Sequence, residues 1–95
     1  MRKGYVFSIG PYRYRQRWVP ESVLDRAGAE ADSDHGVRQV RLADTLDCSR
    51  AVENLIHELV ECINYQCDMR LPHWKIQMLG LLLGQALQPL IRKWY

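Results

Sequence analysis

Ninety-five residues are enough for one small domain with a single core, near the lower limit for a chain that folds without a staple. Apolar residues make up 47% and charged residues 25%, the balance of an ordinary globular protein and not of a disordered one. The net charge of +2 does not describe a uniformly basic nucleic-acid binder. The longest apolar run, Met78 to Gly84, falls well short of the ~18 residues that a membrane helix needs.

The charges are unevenly spread. Residues 1–19 carry Arg2, Lys3, Arg13, Arg15 and Arg17 and no acid, and residues 20–36 carry Glu21, Asp25, Glu30, Asp32 and Asp34 against Arg26 alone. No apolar segment follows the initial Met-Arg-Lys-Gly, so the expected location is the cytoplasm. Cys48, Cys62 and Cys67 form no C-x-x-C pair and are expected to be buried free thiols rather than a disulfide framework.

In chain order, Y-V-F-S-I (5–9) is a short apolar run stopped by Gly10-Pro11. Y-R-Y-R-Q-R-W-V (12–19) then alternates strictly, with Tyr12, Tyr14, Gln16 and Trp18 on one face and Arg13, Arg15, Arg17 and Val19 on the other. The two runs predict a basic β-hairpin over 1–19. Residues 20–36 read as an acidic loop with one helical turn near Glu21 to Arg26, and 37–43 as a third strand.

Helical spacing begins at 47–67, where Asp47 or Ser49 can cap and Val52, Leu55, Ile56, Leu59, Val60 and Ile63 recur at i, i+3, i+4. Pro72 opens a leucine-rich helix over 72–94, with Ile76, Leu79, Leu83, Leu87, Leu90 and Trp94 as its apolar stripe. Gly80 and Gly84, one turn apart, admit a close neighbour, and Pro89 removes one intrahelical bond. The expected fold is α+β in a single domain over 1–95. A small antiparallel sheet of about three short strands packs on two C-terminal helices.

The chemistry concentrates in I-H-E-L-V-E-C-I-N-Y (56–65). Opposite the apolar stripe, helical spacing places His57, Glu61, Asn54, Asp68 and, less centrally, Glu58. His57 and Glu61 are i, i+4 neighbours and can converge on one point. A solvated helix face also carries such pairs, so the spacing alone identifies nothing. Two further residues add weight. Glu58 follows His57 directly, as in the zinc-peptidase helix motif H-E-x-x-H, where that carboxylate acts on metal-bound water. His73 lies twelve residues beyond Glu61, at the start of a returning helix. His57, Glu61 and His73 make a His₂Glu set that suits Zn²⁺, with Mn²⁺ or Fe²⁺ also compatible. Asn54 and Tyr65 are candidate orienting groups; His35, in the acidic loop, is expected to be unconnected to the site.

Longer stretches resemble a family of short phage- and prophage-encoded metallopeptidase-like proteins with a minimal zincin-like fold. The resemblance rests on S-I-G-P-Y-R-Y-R, V-R-Q-V-R-L-A, E-N-L-I-H-E-L-V-E-C-I-N-Y-Q and G-L-L-L-G-Q-A-L. In typical members the active helix reads H-E-x-x-H and a glutamate opens the next helix as third ligand. Here Glu61 stands at the second histidine and His73 near that glutamate, an exchange of ligand types with the total kept. The resemblance implies a zinc hydrolase acting on peptides, with Glu58 as general base. It also implies a phage protein in the host cytoplasm.

Two other partner classes fit parts of the sequence. The strand Y-R-Y-R-Q-R-W suggests nucleic acid, but alternation separates arginines from aromatics; an exposed strand face over an aromatic core face is the simpler account, and a nucleic-acid partner is not expected. The second helix keeps Trp74, Met78, Leu81 and Leu82 off its main stripe. A helix apolar nearly all round fits a homodimer, or a non-enzymatic protein that binds a host factor.

Overall fold

The computed structural model describes residues 2–24 and 28–95. Strands β1 (Tyr5–Ile9), β2 (Tyr12–Val19), β3 (Ala31–Asp34) and β4 (Gln39–Ala43) precede helices α1 (Cys48–Cys67) and α2 (His73–Ile91). The architecture is α+β, with a four-stranded sheet of order β1-β2-β4-β3.

β1 and β2 form the expected antiparallel hairpin, Ile9 pairing with Tyr12. The two-residue loop is Gly10-Pro11, and Gly10 takes the positive φ of 55° that such a loop asks of its first residue. Two expectations are corrected. The acidic loop contains a fourth strand, β3, which pairs antiparallel with β4. The sheet is mixed, because β4 runs parallel to β2. The expected helical turn appears as a single 3-10 turn at Glu21–Val23; its continuation to Arg26 lies outside the described residues. β4 starts at Gln39 because 34–38 form a turn, in which Asp34 Oδ1 accepts from the amides of Gly36 (2.9 Å) and Val37 (3.3 Å).

Alternation along β2 holds from Arg13 to Trp18, while at the strand ends Tyr12 is exposed and Val19 buried, the reverse of the expectation. Tyr14, Gln16 and Trp18 are buried, while Arg13, Arg15 and Arg17 are exposed. The buried face joins Val40, Leu42 and Ala43 of β4, and α1 covers it with Ala51, Leu55 and Cys62. Burying these side chains supplies about 1.5–3 kcal/mol for each large aliphatic group. Asp47 caps α1, its Oδ1 accepting from the Arg50 amide at 2.9 Å. Arg2 ties the chain ends together. Its guanidinium donates to the carbonyls of Asp44 (3.0 Å) and Tyr95 (3.3 Å) and lies 3.7 Å from the Trp18 ring centroid.

α2 packs chiefly on α1, not on the sheet. Its contact face is centred on Ile76, Gly80 and Gly84, and the leucine stripe read from spacing is shifted off it, with Leu90 76% exposed. The glycines explain the shift, because without Cβ atoms they let the α2 backbone press against α1. A Cβ on Gly80 would stand 3.0 Å from His57 Cβ, and one on Gly84 3.0 Å from Glu53 Cα. α2 ends at Ile91 and tightens into a 3-10 turn, Arg92–Trp94, instead of running on as α-helix. Trp94 stacks on Trp18, and its Nε1 donates to Gln16 Oε1 at 3.0 Å. All three cysteines are free, but only Cys62 is buried; Cys48 is half-buried and Cys67 exposed.

Candidate metal centre

α1 is sandwiched between the sheet and α2, and this layering places the chemistry. The helix pair turns over residues 68–72. Asp68 ends α1 in the left-handed conformation (φ 49°), the Met69 amide bonds Asn64 O (3.1 Å), and Asn64 Oδ1 accepts from the Leu71 amide (2.8 Å). That connection brings His73, the first residue of α2, back over the last turns of α1.

The result is one cluster: ligand atoms of His57, Glu61 and His73 all lie within 4.8 Å of one another. His57 Nε2 is 3.8 Å from Glu61 Oε2, and the two imidazole rings stand 5.6 Å apart at 73°. A tetrahedral zinc with ligands at about 2.0–2.2 Å needs them about 3.3–3.5 Å from each other. His57 and Glu61 are close to that spacing. His73 is exposed and completes the cluster from the start of α2. Two neutral imidazoles and one carboxylate make a donor set that fits a borderline dication. Burial holds the His57 pKa below its ordinary value, against the pull of Glu61, and so favours the neutral, ligating form.

Glu58 does not lie toward solvent as helical spacing suggested. It is 7% exposed, tucked beneath β3, where the Ser33 hydroxyl bonds to its carboxylate. Desolvation pushes its pKa up to about 7, partly opposed by the Ser33 bond. A cleft of about 330 Å³ runs between β3 and the helices, lined by Ala31, Asp32 and Ser33 on one side and His57, Glu58, Glu61 and His73 on the other. β3 is the terminal strand of the sheet, so among the described residues its outer edge borders the cleft unpaired.

The remaining candidates divide. Asn54 borders an adjoining cleft with His57 and His73, but its Nδ2 is held by the Arg50 carbonyl at 2.8 Å. Tyr65 stacks on His35, with ring centroids 4.2 Å apart, and does not line the cleft. His35 Nδ1 also meets the Tyr14 hydroxyl at 3.2 Å, so this pair pins the β3–β4 turn to the end of α1. Cys62 packs beside Tyr14, its thiol pushed up to about 12 by burial, and contributes no ligand. Ser33 was missed in the sequence, because nothing in A-D-S-D marks a strand or a partner for Glu58. No protein-family model, curated protein or solved structure matches the chain.

Proposed function

We propose that this chain is a small metal-binding protein that holds zinc, or alternatively Mn²⁺ or Fe²⁺, through His57, Glu61 and His73, and that the site hydrolyses peptides. The observation that carries the reading is the convergence of three ligand atoms from two helices within 4.8 Å, beside a buried carboxyl group. A dication held there supplies Lewis-acid polarisation of a carbonyl and of water. The chain's own residues do the rest. Glu58, with a pKa near neutrality, is poised to take a proton at its carboxylate and return it to a leaving amine. Ser33 keeps that carboxylate oriented. The open edge of β3 offers backbone groups to an extended peptide laid along the cleft. The resemblance to small phage metallopeptidase-like proteins points to the same chemistry, and Glu61 in place of histidine keeps the ligand count.

A second reading, an interaction protein without catalysis, is favoured by the outer face of α2. Trp74 is 61% and Leu82 52% exposed there, and Met78 and Leu81 join them. Such a face fits a host protein or a second copy of the chain.

Metal analysis of protein purified without added metal, followed by turnover of a quenched peptide library, separates the two. The expected result is about one zinc per chain, lost in His73→Ala, with peptide cleavage lost in Glu58→Gln while the metal stays. Metal-free protein that does not bind added zinc overturns the metal site. Bound metal with no cleavage in the unaltered protein leaves the site in place and favours the second reading.

A further inference from the structure

The face of the sheet turned away from α1 is a separate feature. Register places Val6 and Ser8 of β1, Arg13, Arg15 and Arg17 of β2, Gln39 and Arg41 of β4, and Asp32 and Asp34 of β3 on it together; Val19 and Ala43 continue the same register at one end, where they are buried. Neither helix covers it, and all three β2 arginines are exposed. Alternate residues of a strand stand about 6.8 Å apart. The three arginines therefore leave the backbone at even intervals along one line of the open face.

Among the described residues, no carboxylate on this face pairs with the row. β1 and β2 contain no acid. Of the two carboxylates at the far edge, Asp32 is bound to Arg41 at 2.6 Å and Asp34 is bound to the amides of its own turn. Among the described residues no ion pair involves Arg13, Arg15 or Arg17. At one end of the row Lys3, Arg15 and Arg17 border a cleft of about 310 Å³, and at the other Arg38 donates to the Arg13 carbonyl at 3.2 Å. Like charges repeated on one strand face repel, so the row carries a stability cost that an opposite charge from outside removes.

We infer that this open face binds the phosphate backbone of a nucleic acid through Arg13, Arg15 and Arg17, without reading base sequence. Charge complementarity selects the ligand, and two features select phosphate over an acidic protein. The row is built of arginine alone, whose planar fork matches phosphate oxygens in pairs. Among the described residues the exposed part of the face also lacks the aromatic or large aliphatic anchors that protein interfaces concentrate at their centre; Val6 is the largest apolar residue there. Tyr14 and Trp18 of β2 are committed to the core, and Tyr12, though exposed, alternates with the arginines and so falls on the other face, which removes base stacking here and leaves backbone contact, a mode that depends on charge alone. This binding goes beyond the metal site and does not rest on it.

The test is fluorescence anisotropy of a labelled 20-base-pair duplex, in chelator, across 50–200 mM salt. Three phosphate contacts give a log–log slope of about −2.7, so affinity falls about 40-fold over that range. Arg15→Gln lowers the slope's magnitude by about 0.9, and Arg13→Gln/Arg15→Gln/Arg17→Gln removes salt-sensitive binding. Arg70→Gln, an equal charge change on the turn between the helices, leaves the slope as it was. Circular dichroism confirms that each variant is folded. Absence of binding at 50 mM salt, a triple variant that binds like the unaltered protein, or poly-glutamate competing as well as the duplex each overturns the inference.

Discussion

Glu58 is the residue whose environment departs furthest from its place in the sequence. Helical spacing put it at the margin of the polar face, but α1 is covered on both sides, and the carboxyl lies under β3. Its identity as the candidate base was legible beside His57, whereas its burial was not, because burial depends on a strand with no apolar pattern. The shift has a thermodynamic sign. The pKa rises from 4.5 in the unfolded chain to about 7 in the fold, so between those values the folded state binds more protons. This contribution is fully present below pH 4.5 and is lost as pH rises through 7, by an amount on the order of 3 kcal/mol. Glu58→Gln keeps the shape and the acceptor for Ser33 but carries no charge. In chelator at pH 8 the variant is expected to melt higher than the parent, and at pH 4.5 to melt at the same temperature. His57, whose lowered pKa favours stability at higher pH, is common to both proteins and cancels in the comparison. Equal melting temperatures at pH 8 would count against a buried, charged Glu58.

At the scale of elements, the hairpin, α1 with its Asp47 cap and the start of α2 could be read directly, because local periodicity and caps specify them. β3 could not. A-D-S-D has two acids and no large apolar residue, and it becomes a strand only by pairing with β4, where Asp32 meets Arg41. The parallel pairing of β2 with β4 is likewise a tertiary choice without a local signal. The α2 face was misplaced for a related reason: spacing weighs leucines, while contact here is governed by glycines. Gly80 therefore joins the packing of α2 to the position of His57. Gly80→Ala inserts a methyl 3.0 Å from His57 Cβ and 3.1 Å from His57 Cα. Overpacking of this kind costs about 1–3 kcal/mol, and alanine's better helix propensity returns about 1. Urea unfolding should register a net loss of about 1 kcal/mol. If His57 is a metal ligand as proposed, zinc affinity should also fall at least about tenfold, because the collision is with that residue and a metal site tolerates little displacement. Gly84→Ala meets Glu53 instead and is expected to cost stability without the loss of zinc affinity. Calorimetric titration of both variants separates the effects.

The whole molecule is layered, with a basic sheet face on one side, an apolar helix on the other and the metal cleft opening between β3 and the helices. The basic side was the most legible, since alternation from Arg13 to Trp18 shows which residues point outward; Val19, which the same alternation sends outward, is buried. The apolar side follows from how little of α2 the rest of the chain covers: Ile76 is its only large apolar residue that is buried. No charged residue lies between Lys75 and Arg92, so two copies can meet along this helix without burying an unpaired charge. Joined this way, both arginine faces would point outward and both metal clefts would stay open to the sides. Light scattering on a dilution series is expected to give twice the 11.2 kDa chain mass at high concentration. Leu82→Glu should return it to 11.2 kDa, because a carboxylate in an apolar contact costs several kcal/mol unless paired. The same substitution sits on exposed surface and should leave the monomer's own stability within about 0.5 kcal/mol. An unaltered protein that stays at 11.2 kDa throughout the series would assign the face to a different protein.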